Sequence, residues 1–170
     1  KVFDKNLIAV LVNMMKGVVN YGTGRGAKLP RPIAGKTGTT SSHKDAWFMG
    51  IVPQMVCATW VGNDDNTPMN NVTGGWFPAI MWKNFMREAL KNIPPQDFTR
   101  PKGLVARSVN WQTGNLASEY SDPEFVTTEL YWKGSEPIQE DTPEILRQLK
   151  EQKRKKEKEE NNILDFFNMN

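Results

Sequence analysis

A chain of 170 residues with 38% hydrophobic side chains and 13 glycines has the composition of an ordinary globular protein of one-domain size, which excludes wholesale disorder and a collagen-like fibre. One cysteine, Cys57, and one histidine, His43, exclude a disulfide framework and a Cys/His zinc site. The net charge of +3 excludes little by itself, because residues 1–138 carry 15 basic against 11 acidic side chains and residues 139–170 carry 7 against 8.

The basic run from Lys153 to Lys158 is interleaved with Glu151, Glu157, Glu159 and Glu160. Those acids repel phosphate, and no aromatic side chain stands between Trp132 and Phe166 to stack on a base. The run reads as a solvated polyampholyte helix or tail, and nucleic acid is not expected as a partner. No apolar run approaches the roughly 20 residues of a membrane span. Leu7 to Val12 lacks a small-residue cleavage site after it and is not expected to be a signal peptide.

Residues 4–21 read as a helix. Asp4 is placed to cap it, Leu7, Val10, Leu11, Met14, Met15, Val18 and Val19 recur at helical spacing, and Gly22 fits the stop. Gly22-Thr-Gly-Arg-Gly26 is a turn, and Pro30 and Pro32 fix an extended approach to residues 33–40. Residues 45–52 and 55–62 predict an antiparallel hairpin closed at Pro53-Gln54, with Cys57 as a small buried hydrophobe. Turn chemistry from Asn63 to Pro68 continues as a loop to Gly74-Gly75. A second helix starts near Pro78, runs through Trp82, Phe85, Met86, Ala89 and Leu90, and stops before Pro94-Pro95. Residues 96–138 show no strong periodicity. A further helix can start at Thr142-Pro143, but from Lys150 onward it has no apolar face, so the tail is expected to be partly helical or disordered.

Gly35-Lys-Thr-Gly-Thr39 is the densest chemical signal. A phosphate loop would need a glycine five residues before Gly35, where Pro30 stands with no N–H to donate, so a nucleotide-binding enzyme built on Gly35-Lys-Thr37 is disfavoured. Gly22-x-Gly24-x-Gly26 likewise lacks dinucleotide-binding spacing. As an edge strand beside a cleft, the segment is richer. Alternation puts Lys36 and Gly38 on one face and Thr37 and Thr39 on the other, so a twist or bulge is needed for all four to serve one site. The glycine permits close ligand approach and such a bulge. Lysine supplies a compact cation, the threonine hydroxyls suit a terminal carboxylate, and an outward N–H suits an oxyanion.

Several segments in order extend this signal. Val18-Val-Asn-Tyr-Gly-Thr-Gly24, Ala34-Gly-Lys-Thr-Gly-Thr-Thr40, Lys44-Asp-Ala-Trp-Phe-Met-Gly50, Trp60-Val-Gly-Asn-Asp64, Pro78-Ala-Ile-Met-Trp82, Thr113-Gly-Asn-Leu-Ala117 and Gly134-Ser-Glu-Pro137 together resemble the C-terminal part of the transpeptidase domain of class A, bifunctional penicillin-binding proteins. The resemblance covers residues 1–138, with 139–170 as a charged tail outside it. It implies an α+β, serine β-lactamase/transpeptidase-like fold, an antiparallel sheet flanked by helices, incomplete in this chain. It also implies D,D-transpeptidation of peptidoglycan stem peptides through an acyl-serine, with β-lactams trapping the serine. By position, Lys36 is then the catalytic-site lysine, Thr37, Gly38 and Thr39 bind substrate, and the Thr39 N–H is an oxyanion donor. No metal or cofactor is implied. The expected location is the extracytoplasmic face of a bacterial membrane, reached through an N-terminal anchor lying outside this chain.

The family's nucleophile opens a helix with Ser-x-x-Lys. Here the formal match, Ser41-Ser-His-Lys44, follows the Lys-Thr-Gly strand in a turn, and Ser108-Val-Asn110 is a chance Ser-x-Asn. The serine, its lysine and the Ser-x-Asn element are therefore expected on an upstream part of the same protein, as fragment or cleaved complex, with this chain alone inactive. The alternative is a noncatalytic wall- or β-lactam-binding module of the same fold. His43 is expected to be solvent-exposed and uninvolved, Asp45 structural, and Trp47, Trp60, Trp76 and Trp82 core or cleft wall.

Overall fold

The computed structural model describes residues 2–168, with side chains described through residue 161. The chain divides into two compact units, Lys1–Leu104 and Val105–Asn170.

The N-terminal unit opens with helix α1, Lys5–Asn20. Asp4 caps it as the sequence predicts, its Oδ1 accepting from the N–H groups of Asn6 at 2.8 Å and Leu7 at 3.3 Å. Its end is tied off by Tyr21 and Gly22, whose N–H groups both reach the Gly17 carbonyl, and by Gly24, which reaches that of Val18. A 3₁₀ turn, Arg25–Ala27, leads to the strands β1, Ala34–Thr39, β2, Asp45–Val52, and β3, Met55–Gly62. They form an antiparallel sheet in the order β1-β2-β3. Pro53-Gln54 closes the hairpin by setting Val52 opposite Met55. Helix α2, Phe77–Ala89, follows with Pro78 in its first turn, where a missing N–H costs nothing. Arg31 ties down the chain after it, Nη2 donating to the Ile93 carbonyl at 2.8 Å and to that of Leu90, the residue that ends the helix, at 3.4 Å.

The core of this unit is Val19, Ala27, Ile33, Phe48, Val52, Ala79, Trp82, Met86 and Leu90. Trp82 is wholly buried, meets Phe48 edge to face at 5.5 Å, and donates its indole N–H to the Cys57 carbonyl at 3.0 Å. Gly50 makes room for it, since a Cβ there would collide with the Trp82 ring. Cys57 is half-buried against this cluster rather than enclosed by it, and burial pushes its thiol pKa up. The apolar stripe of α1 is only partly used: Val19 is buried, whereas Leu7, Leu11 and Met14 are exposed.

In the C-terminal unit, strands β4, Leu104–Asn110, and β5, Val126–Trp132, pair in a stretch where the sequence shows no period. Its centre is polar. Asp141 is buried and accepts from Asn110 Nδ2 at 2.6 Å, Thr113 Oγ1 at 2.7 Å and Ser121 Oγ at 2.7 Å, with Asn115 Nδ2 at 3.4 Å. Helix α3 starts at Pro143, capped by Thr142, and continues to Asn168. Among its described side chains the last partly buried one is Leu149, and residues 150–161 are exposed, matching the loss of an apolar face read from sequence. Among the described residues no helix is long and apolar enough to cross a membrane.

Candidate active-site strand

The three-stranded sheet uses its two faces differently. Phe48, Gly50 and Val52 point toward α1 and α2, and Thr59 Oγ1 on that face donates to the Pro78 carbonyl at 2.7 Å. The opposite face is open. It carries Lys36 and Gly38 from β1, Trp47 and Met49 from β2, and Ala58 and Trp60 from β3, aligned by the pairs Gly38↔Trp47↔Trp60 and Lys36↔Met49↔Ala58. Trp47 and Met49 remain 46% and 51% exposed, so this apolar surface has no cover among the described residues.

Register along β1 is continuous from Ala34↔Ile51 to Thr39↔Ala46, so the bulge considered for Gly38 does not form. Side-chain alternation therefore holds: Lys36 and Gly38 face the open side, Thr37 and Thr39 the helix side. What unites the four is the strand's edge. Thr40 donates its N–H to the Asp45 carbonyl at 3.0 Å, so backbone alternation turns the Thr39 N–H and the Thr37 carbonyl away from β2. Lys36 reaches over that edge, its Nζ donating to the Thr37 carbonyl at 2.6 Å. On the helix side Thr37 Oγ1 lies 2.9 Å from Thr23 Oγ1, and Thr39 Oγ1 accepts from the Gly74 N–H at 3.1 Å. A ligand lying along the edge would meet a cation on one flank and two hydroxyls on the other.

The sequence marks Thr23 and the Gly74-Gly75 pair only as turn and loop chemistry. The repeated glycines of both segments were the available signal, but nothing local says that the two loops converge on β1.

His43 departs from its expected exposure. It sits half-buried at φ 51° with Nδ1 3.2 Å from the Val72 carbonyl, while its own carbonyl accepts from Met69 N at 2.9 Å. It thereby holds the loop that returns toward Gly74. Asp45 accepts from Trp60 Nε1 at 3.0 Å and so braces the open face. Of the four tryptophans expected as core or cleft wall, Trp82 is core, whereas Trp47, Trp60 and Trp76 are surface residues. Ser41 and Ser42 lie exposed in the β1–β2 turn, and Ser108 and Asn110 lie in β4, where Asn110 serves Asp141.

Two family models match the chain: the penicillin-binding protein transpeptidase domain over residues 1–81 and the penicillin-binding protein 1A C-terminal domain over residues 100–144. The crystal structure of penicillin-binding protein 1A from Haemophilus influenzae is similar with a TM-score of 0.65 and 28% identity, over 83% of this chain and 22% of that one. The architecture is thus that of the penicillin-binding transpeptidases, a mixed helix and antiparallel-sheet fold.

Among curated proteins, penicillin-binding protein 1A of Clostridium tetani is 31% identical over 144 residues, 81% of this chain and 18% of the relative. That of Neisseria lactamica is 43% identical over 100 residues, 57% and 12% respectively, and that of Escherichia coli 33% identical over 130 residues, 68% and 15%. The chain belongs to the class A penicillin-binding protein family. It spans less than a fifth of the length of these relatives.

Proposed function

We propose that this chain forms the C-terminal part of the transpeptidase domain of a serine-type peptidoglycan D,D-transpeptidase, supplying the Lys-Thr-Gly-Thr strand but not the nucleophile. A serine from the upstream part of the same protein, where the Ser-x-x-Lys and Ser-x-Asn elements belong, attacks the carbonyl joining two D-alanines of a stem peptide. The C–N bond breaks, D-alanine leaves carrying a proton, and an ester remains on the serine. An amine of a second stem peptide then attacks that ester, forming the cross-link and regenerating the hydroxyl. β-Lactams acylate the same serine when their ring amide opens.

In this reading Lys36 supports proton transfer and attracts the substrate carboxylate electrostatically. Thr37 and Thr39 bind the carboxylate, Gly38 keeps the strand approachable, and the Thr39 N–H stabilises the oxyanion. The observation that carries the reading is the Lys36 ammonium lying across a strand edge that no described strand pairs, from which the Thr39 N–H projects. An extended peptide can add to such an edge as a further strand, which orients its carbonyl without any side chain. The protein would work at the extracytoplasmic face of a bacterial membrane, on stem peptides and β-lactams, with no cofactor.

Fluorescent penicillin tests this in the full-length protein. It should label the serine-bearing portion and leave this chain unlabelled, and Lys36→Ala should slow acylation about a hundredfold, the usual cost of removing an electrostatic group from such a site. A full-length protein that binds β-lactam without covalent label would establish the noncatalytic module instead.

A further inference from the structure

The two hydroxyls on the helix side of β1 do not hang free. Each is held by one group from outside the sheet: Thr37 Oγ1 by Thr23 Oγ1 at 2.9 Å, Thr39 Oγ1 by the Gly74 N–H at 3.1 Å. The two loops that deliver these groups touch each other and the back of β1. A Cβ on Gly74 would collide with the Trp47 carbonyl and come within 2.6 Å of the Gly38 carbonyl oxygen and 2.9 Å of the Gly38 nitrogen. One on Gly75 would collide with the Thr23 carbonyl and lie 3.7 Å from Thr37 Cγ2. Only bare backbone fits there. Gly74 is buried, although its loop runs from the exposed turn at Asn63.

We infer that Thr23 is a positioning residue for Thr37, and that Gly74-Gly75 forms the seat holding the Gly38–Thr39 peptide and the Thr39 hydroxyl at the strand edge. This rests on the proposed role of the strand in binding a substrate carboxylate. A threonine hydroxyl has one proton and can rotate. Of the two directions this pair allows, the one in which the Thr23 hydroxyl donates to Thr37 Oγ1 fixes the Thr37 rotor and leaves the Thr37 proton for an incoming carboxylate. The Gly74 N–H likewise occupies a lone pair of Thr39 Oγ1 and leaves its proton as the group to be donated. Neither Thr23 nor Gly74 needs to touch substrate; each restricts a group that does.

The test measures the second-order rate of acylation by fluorescent penicillin in the full-length protein. Thr23→Val keeps the shape and removes the hydroxyl, and it should slow acylation about tenfold, the range for losing one hydrogen bond in a carboxylate site. Thr23→Ser should restore the rate. Thr37→Val should be at least as slow, and Thr23→Val combined with Thr37→Val should be no slower than Thr37→Val alone, because both remove the same interaction. Gly74→Ala should slow acylation more than Thr23→Val. A merely structural Thr23 would give multiplying effects or no rescue by serine, and either result overturns the inference. Wild-type acylation by Thr23→Val beside slow Thr37→Val overturns it too, leaving the strand's role intact. If Lys36→Ala and Thr37→Val both acylate at the wild-type rate, the proposed function itself fails.

Discussion

The two units of this chain solve the problem of a small core in opposite ways. In the N-terminal unit the centre is apolar, with Trp82 wedged against Phe48 and over Gly50. In the C-terminal unit the centre is a carboxylate, Asp141, with four donors converging on it from three separate turns or strands. Apolar packing tolerates gradual change, because its energy scales with area and fit. A charged hub is closer to all or none, since each donor stranded in a buried site loses its water as well as its partner. Among the described residues the N-terminal unit leaves one sheet face and the outer edge of β1 open, and the candidate site lies there.

Trp82→Ala should cost about 3–5 kcal/mol in cavity and lost burial, the largest effect expected in the N-terminal unit. Native-state hydrogen exchange should show lost protection for amides of β1–β3, with those of Asn110, Leu116 and Asp141 unchanged. Equal loss in both units would remove the contrast. Next is Asp141→Ala, expected to cost roughly 3 kcal/mol by leaving Asn110, Thr113 and Ser121 unsatisfied, with exchange protection lost in the C-terminal unit.

Burial alone would raise the Asp141 pKa, but hydrogen bonds from Thr113, Ser121, Asn110 and Asn115 outweigh it and hold the carboxyl below its ordinary value. A folded pKa below the unfolded one contributes stability above pH of about 4, lost as pH falls through the folded value. The C-terminal unit should therefore weaken below pH of about 4, and Asp141→Asn should flatten that dependence in denaturant titrations. The smallest expected effect is Asp45→Ala, about 1 kcal/mol, because the hydrogen bond to Trp60 is exposed. Trp60 fluorescence should report the changed environment.

Helices α1 and α2 and the β2–β3 hairpin were legible because each repeats a local rule: the Asp4 cap, apolar residues at helical spacing, or two apolar runs flanking a two-residue turn. The alternation on β1 was legible too, including the split of Lys36 and Gly38 from Thr37 and Thr39. Strands β4 and β5 were not. Their burial does not alternate cleanly, so no period marks them. Asp141 has no local signal in the sequence, because its donors lie 20 to 31 residues away.

Sequence alone determined the elements of the N-terminal unit, the chemistry of Lys36 to Thr39 and the family resemblance, since these depend on residue type and short spacing. Tertiary structure alone decided that β1 stays unbulged and that Thr23 and Gly74 meet it from behind. Thr23 is 14 residues from Thr37, and Gly74 is 35 from Thr39. Contacts at such separations form only when a core brings the loops together, and no local propensity encodes where a turn will land.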